Sequence, residues 1–322
     1  MLIDENNKQL TSTDFELKKD NMNQEFVNVK NKSFWQDAWT QLRKNRLAVI
    51  GMIGLIILIL FALFGPAISQ HNSTEQQVTD RNLPPKIPLL GKVDYLPFND
   101  KDVNGKDTYK EVGSKDYYIF GTDQLGRDLW TRTWEGARIS LFIGVVAAIL
   151  DVFIGVLFGA ISGFYGGKID TVMQRIIEVI ASIPNLIIVI LFVLIFEPSI
   201  WTIILAMSVT GWISMSRVVR GEFLKIKNLE FVQASKTLGA IIVTSMFTVP
   251  SAIFFEAFLS FIGIGVPAPQ TSLGSLVNDG KSMLLIYPHE LFIPATILSL
   301  LILFFYLFSD GLRDAFDPKM RK

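Results

Sequence analysis

WISMSRVVRGEFLKIKNLEFVQASKTLGA, residues Trp212–Ala240, decides how the rest of the chain is read. It leaves one apolar run, turns basic through Arg217, Arg220, Lys225 and Lys227, becomes a short amphipathic segment, and meets another apolar run at Ile241. Within Leu229–Ala240, Phe231, Ala234 and Leu238 share one helical face, while Glu230, Gln233 and Thr237 fall on the next. A polar helix hung between two apolar spans cannot pack in lipid. It belongs at the cytoplasmic surface, where a soluble protein can grasp it.

Half of the residues are hydrophobic and the mean hydropathy is +0.39. A transmembrane helix needs about 20 predominantly apolar residues. Six windows meet this: Leu47–Ile68, Ile139–Gly163, Ile176–Phe196, Ile200–Val219, Ile241–Ile264 and Leu291–Phe308. The expected fold is therefore an all-α integral membrane protein with six transmembrane helices and one extracytoplasmic insertion between the first two. Arg43, Lys44 and Arg46 precede the first window, Lys168 and Arg175 lie between the second and third, and Arg313, Lys319, Arg321 and Lys322 follow the last. The opposite loops are poor in Lys and Arg, so both termini are expected in the cytoplasm of a multi-pass cell-membrane protein. The first window begins too far into the chain, and is too long, for a cleaved signal peptide. There is no cysteine, His71 and His289 are scattered in loops, and the net charge is zero. No metal site and no nucleic-acid partner is expected.

Residues 1–33 are polar and without apolar periodicity, and read as a disordered cytoplasmic tail. In 34–68 an interfacial helix, with Trp35, Ala38, Trp39 and Leu42 at helical spacing, leads into the first span. Residues 69–138 form the extracytoplasmic segment, too long for a plain hairpin, with a little β structure expected at Asp116–Phe120. The helical core runs over 139–308, with a cytoplasmic loop at 221–240, and 309–322 is a cytoplasmic tail. Before the second window stands GTDQLGRD. There Thr122 or Asp123 is expected to cap a short helix and Asp128 to pair with Arg132. Gly121, Asp123, Gly126, Arg127 and Asp128 are read as structural residues at an outer gate; the spacing lacks the dense oxygen ligands of a calcium loop.

Asp151, Glu178 and Glu256 fall in or near apolar windows. Intramembrane carboxylates face a bundle interior or an aqueous path, so Asp151 and Glu256 either line a translocation route or fix helix packing, and Glu178 sits nearer an interface. Pro184, Gly211, Pro250, Gly263 and Gly265 allow bends and close helix approach. The sequence contains no GxxxxGK[ST], no GxGxxG, no GxSxG and no HExxH. The chain is not expected to be an enzyme, so uphill transport would draw on an ion gradient or on another subunit. A self-sufficient carrier is disfavoured, because no convincing inverted repeat is present.

GEFLKIKNLEFVQASKTLGA (Gly221–Ala240) resembles the cytoplasmic coupling loop of binding-protein-dependent ABC importer permeases, with Gln233, Ala234 and Ser235 at the Glu-Ala-Ala positions and Gly239 as the motif glycine. GTDQLGRD (Gly121–Asp128), FIGIGVPAPQTSLGSLVNDG (Phe261–Gly280) and SDGLRDAFDPK (Ser309–Lys319) resemble the C-type permease subunit of oligopeptide and dipeptide importers. The likeness covers Phe34 to the end. It implies the type I importer architecture, a homologous B-type permease subunit as partner, two cytoplasmic ATPase subunits, and an extracytoplasmic peptide-binding protein. It also implies that Glu230, Phe231, Gln233, Ala234, Ser235, Leu238 and Gly239 couple to the ATPases. No cofactor is expected on this chain; ATP and magnesium would sit on the partner subunits. A permease for nickel–chelate or another small solute shares this architecture.

The sequence departs from the family in one place. After Gly239 the family continues the coupling helix to an Ile-x-Leu-Pro end and a turn, whereas here Gly239-Ala240 runs straight into Ile241-Ile242-Val243. Roughly seventeen residues are missing by that comparison. The helix must then merge with the fifth span or reverse without turn residues. Weakened or lost coupling, and with it a coupling-deficient structural subunit, is the corresponding expectation.

Overall fold

The computed structural model describes residues 34–69, 71–87, 105, 107–114, 116–226 and 234–316. The tail 1–33, the motif residues Glu230, Phe231 and Gln233, and the end of the chain from 317 lie outside them. By contacts the chain divides into Met1–Asp37 and Ala38–Lys322, and the tertiary description below concerns the second unit. The described residues are helical, without a strand. Eleven α-helices are described: α1 (Phe34–Lys44), α2 (Arg46–Phe64), α3 (Thr108–Val112), α4 (Leu129–Tyr165), α5 (Gly167–Ala181), α6 (Asn185–Phe196), α7 (Ile200–Ser208), α8 (Trp212–Ile226), α9 (Ala234–Phe261), α10 (Leu273–Lys281) and α11 (His289–Phe316).

Five helical stretches are long and apolar enough to cross a membrane: Arg46–Ala67, Leu129–Tyr165, Ile200–Lys225, Leu238–Phe261 and His289–Phe316. The third expected span, Ile176–Phe196, is not one rod. It is the pair α5 and α6, bent by 74°. Pro184 cannot donate to a helix and biases the residue before it away from helical backbone, so the break falls at Ser182–Pro184. Whether this pair crosses is fixed by a contact elsewhere. Asn45, which caps α2, donates from Nδ2 to Asp314 near the end of α11 at 3.1 Å. The start of the first span and the end of the last therefore share one face, which requires an even number of crossings, and the bent pair supplies the sixth. The fourth span is also interrupted, between α7 and α8 at Val209–Gly211.

Small residues bring the helices together. Lipid offers apolar surface as readily as another helix does, so close backbone approach rather than water exclusion drives association. On α4, Gly155 and Gly163 recur every second turn and face α8. A Cβ on Gly155 would lie 2.6 Å from Met215 Cβ, and one on Gly163 would lie 2.6 Å from Phe223 Cβ. On α2, Gly51 lies against α11, where a Cβ would come within 2.8 Å of Phe308 N. Buried Leu55, Leu58, Trp130, Trp134, Ile253, Leu273 and Leu301 form one core among α2, α4, α9, α10 and α11. A second core, with Ile143, Val189, Ile203, Ile204 and Leu259, joins α4, α6, α7 and α9.

One expectation is corrected here. Asp116–Phe120 is coil and turn rather than β structure, because its backbone serves as a ledge for the preceding loop: Tyr118 O accepts from Lys86 N at 2.8 Å. Leu83, Tyr109 and Tyr118 close a small core there, and Tyr109 donates to Pro84 O at 2.9 Å. On α1, Ala38 and Leu42 are buried and Trp39 is exposed; the Trp39 ring lies 4.8 Å from the Arg43 guanidinium carbon. Of the two arrangements expected after Gly239, the helix merges with the fifth span. Its helix continues back without a break to Ala234.

Candidate functional site

The GTDQLGRD stretch forms a polar turn at the start of α4. Asp123 is 5 % exposed and its carboxylate closes the turn on itself. Oδ1 accepts from Leu125 N at 2.9 Å and Arg127 N at 3.0 Å. Oδ2 accepts from Arg127 Nε at 2.7 Å and pairs with Arg132 Nη1. Arg132 therefore pairs with Asp123 and not with Asp128, which is committed elsewhere. Asp128 is the N-cap of α4, accepting from Trp130 N and Thr131 N, and it also holds the Ser69 hydroxyl at 2.7 Å. It replaces Thr122 and Asp123 as the cap, since Thr122 is occupied in receiving Leu83 N at 2.8 Å. Gly121 (φ +79°) and Gly126 (φ +73°) occupy left-handed backbone, where a Cβ would overlap Leu83 O and Gln77 O respectively. Beside this turn is an open cavity of about 410 Å³ that Asp279 and Glu290 also line. Arg132 Nη2 reaches Asp279 at 3.6 Å. Burial pushes the Asp279 carboxyl above its usual range, while Arg132 and Arg127 pull it back.

The two intramembrane carboxylates have different surroundings. Glu256 on α9 is fully buried and hydrogen-bonded on both oxygens. Ser140 of α4 donates to Oε2 at 2.8 Å and Ser260 to Oε1 at 2.7 Å. Ser272, the N-cap of α10, donates to Ser260 at 3.0 Å, and Ser140 receives Leu273 N at 3.3 Å. This network ties α4, α9 and α10 together, which is a packing geometry. Asp151 on α4 is 5 % exposed and lines a cavity of about 380 Å³ together with Asn185, Gly211, Phe247, Thr248 and Phe255. Its Oδ1 is buried without a hydrogen-bond partner. Glu178 sits on the exposed side of α5, paired with Arg175 at 2.6 Å.

Of the residues expected to couple to ATPases, Glu230, Phe231 and Gln233 lie outside the described residues. Ala234 and Ser235 open α9, Leu238 is exposed, and Gly239 faces the C-terminal helix, where a Cβ would stand 3.4 Å from Phe316 Cβ. On the same pole Arg220 of α8 grips Asp170 of α5 through Nε and Nη2, both at 2.6 Å. Such a two-pronged guanidinium–carboxylate contact fixes orientation as well as distance.

The described part of the SDGLRDAFDPK stretch, Ser309–Phe316, is a clamp on this pole. Ser309 donates to Met246 O of α9 at 3.0 Å. A Cβ on Gly311 would overlap Ala48 of α2, and Asp314 receives the Asn45 amide. Sequence reasoning missed Asn185, Ser140, Asp170 and Glu290. An amide directly after Pro184 inside an apolar run is a signal that could have found Asn185. Nothing in the local pattern distinguishes Ser140 from other serines in spans.

Residues 33–85 match the family model described as the N-terminal TM domain of oligopeptide transport permease C. Residues 155–241 match the model described as binding-protein-dependent transport system inner membrane component. The oligopeptide transport system permease protein OppC of Bacillus subtilis (strain 168) is 42% identical over 315 residues, which is 92% of this chain and 94% of that protein. The dipeptide transport system permease protein DppC of the same organism is 44% identical over 308 residues, 90% of this chain and 87% of the relative. DppC of Lactococcus lactis subsp. cremoris (strain MG1363) is 44% identical over 318 residues, 89% of this chain and 91% of the relative.

Proposed function

This chain belongs to the C-type permease subunits of oligopeptide and dipeptide ABC importers, and on that premise we propose that it forms half of the translocation pathway for short peptides. Identity of 42% carried over 92% of the chain is the observation that supports this most. The other half of the pathway would come from a homologous B-type permease. Two cytoplasmic ATPases, holding ATP and magnesium, would supply the energy, and an extracytoplasmic binding protein would deliver the peptide. Both termini would face the cytoplasm, in keeping with the Lys and Arg bias. ATP-driven switching between outward and inward access would be a population shift set by differential contacts at the coupling segment. The test is complementation. A strain lacking its own C-type subunit, supplied with this chain, should regain peptide uptake, and the ATPases should copurify with it. Failure of both, with the chain present in the membrane, refutes the reading.

A second reading is favoured by one specific feature: α9 is unbroken from Ala234 to Phe261. In this reading the subunit assembles but couples poorly, because the segment the ATPase would grip is continuous with a span. Insertion of a family-like linker after Ala240 discriminates. Uptake that appears only with the linker supports the second reading; equal uptake with and without it discards that reading.

A further inference from the structure

The cavity around Asp151 is chemically one-sided. Asp151 Oδ1 and Asn185 Oδ1 are both buried acceptors without a partner, and both line it. Of the four hydroxyls that line the cavity, the Ser214 hydroxyl belongs to an exposed residue of α8 and the other three donate within α9. Thr244 donates to Ala240 O at 2.8 Å, Thr248 to Thr244 O at 3.0 Å, and Ser251 to Phe247 O at 2.9 Å. Among the described residues lining the cavity there is no Lys, Arg or His. Gly211 leaves the space the carboxylate uses, since a Cβ there would overlap Asp151. Unpaired acceptors in a low-dielectric interior are costly, and an intramembrane ionisable group marks a functional site whose partner should be sought. The missing complement is a cation with several N–H donors. A primary ammonium has three donors and no acceptor, and Phe247 and Phe255 add aromatic surface of the kind that favours cations.

Resting on the importer reading, we propose that Asp151, with Asn185, forms a subsite within the spans for a primary ammonium group of the permeating solute, the α-ammonium of a peptide. The cavity volume falls within the range of small-ligand sites, about 300–1,000 Å³. The chemistry asks only for a positive N–H donor near one end of the solute and leaves its side chains unread.

The test uses the full chain in lipid nanodiscs without a binding protein. Dicyclohexylcarbodiimide, an apolar reagent for carboxyl groups, is applied with trialanine, with N-acetyl-trialanine, or alone, and the adduct at Asp151 is read by mass spectrometry. Trialanine should suppress the adduct several-fold and the acetylated peptide should not. Suppression by both, or by neither, overturns the proposal. A label-independent arm measures trialanine binding by tryptophan fluorescence. Asp151→Asn should weaken it roughly tenfold or more while leaving the acetylated peptide unchanged, and equal trialanine affinity in the variant and the parent overturns the proposal. Cellular uptake separates this failure from that of the importer reading. Peptide uptake that ignores both acetylation and Asp151→Asn removes the subsite and leaves the importer standing. Absent uptake with intact trialanine protection removes the importer role and leaves the subsite.

Discussion

Ser309→Ala tests how the bundle accommodates a proline in the fifth span. Pro250 lies inside α9 and has no N–H, so the carbonyl four residues earlier, Met246 O, loses its helical donor. Ser309 of α11, fully buried, donates to that same oxygen at 3.0 Å. The hydroxyl thus replaces what the proline removed, as neighbouring side chains do for proline in membrane helices. Removing it orphans a buried carbonyl, for which about 1–3 kcal/mol is typical. Hydrogen bonds between membrane helices average about 0.6 kcal/mol and reach about 1.7, so we expect about 1–2 kcal/mol. The reasoning also fixes the size of an interaction. In a Pro250→Ala background the helix regains its own N–H donor, and Ser309→Ala should cost only about 0.5 kcal/mol, the low end for one bond. The double-mutant cycle should therefore show a coupling of about 1 kcal/mol, above the roughly 0.3–0.5 kcal/mol seen for independent sites. Equilibrium unfolding in mixed detergent–SDS micelles measures all four variants. Equal cost of Ser309→Ala in the two backgrounds would refute the argument.

Three further outcomes follow from the same geometry. Glu256→Ala strands the hydroxyls of Ser140 and Ser260 and should cost about 2–6 kcal/mol, whereas Glu256→Gln, which keeps an acceptor, should cost less than half as much; the same unfolding titration reads both, and equal loss contradicts a hydrogen-bonding role. Asp123→Asn leaves Arg132, 5 % exposed, with Asp279 as its remaining carboxylate at 3.6 Å, and should destabilise by about 3–5 kcal/mol; a change under about 0.5 kcal/mol in thermal unfolding would show the pair to be idle. Gly155→Ala places a methyl against Met215 and Trp212 O and should cost about 1–3 kcal/mol, while Gly221→Ala, which meets open space, should be tolerated; similar yields of folded protein for the two variants would contradict the α4–α8 packing.

The spans were legible because apolar runs of that length have few other uses, and five of the six windows remain candidate spans without a sharp bend, the fourth with a short interruption at Val209–Gly211. The third hid its bend. Hydropathy averages across Ser182–Pro184, and only the proline marked the break. The outer turn was legible as a turn, since Gly121 and Gly126 could be recognised as residues suited to left-handed backbone. Its ion pairing was not, because Asp128 stands four residues before Arg132 and Asp123 nine, so helical spacing pointed to Asp128, whereas the choice is made by Ser69, Leu83 and Thr131, which are remote or unmarked in the pattern. The same limit applies to the intramembrane acids. Asp151 and Glu256 look alike in sequence. They diverge only once folding places two serines against Glu256 and leaves an oxygen of Asp151 unpartnered beside Gly211.

The join at Ala240 separates what holds α9 from what it could transmit. The contacts that fix this helix include the approach of Phe316 to Gly239, the bond from Ser309 to Met246 O, the packing of Val249, Ala252, Ile253 and Leu259, and the Glu256 network. Ala234–Ala240 extends the rod by about 10 Å at 1.5 Å per residue. With no turn between them, the direction of its faces is dictated by the span at 100° per residue. A linker would free that short piece to lie across the bundle, with its own orientation. Inserting one after Ala240 should therefore change unfolding free energy by less than about 0.5 kcal/mol while altering ATPase copurification. A large loss of stability on insertion would show instead that the fused helix is part of what keeps the bundle folded.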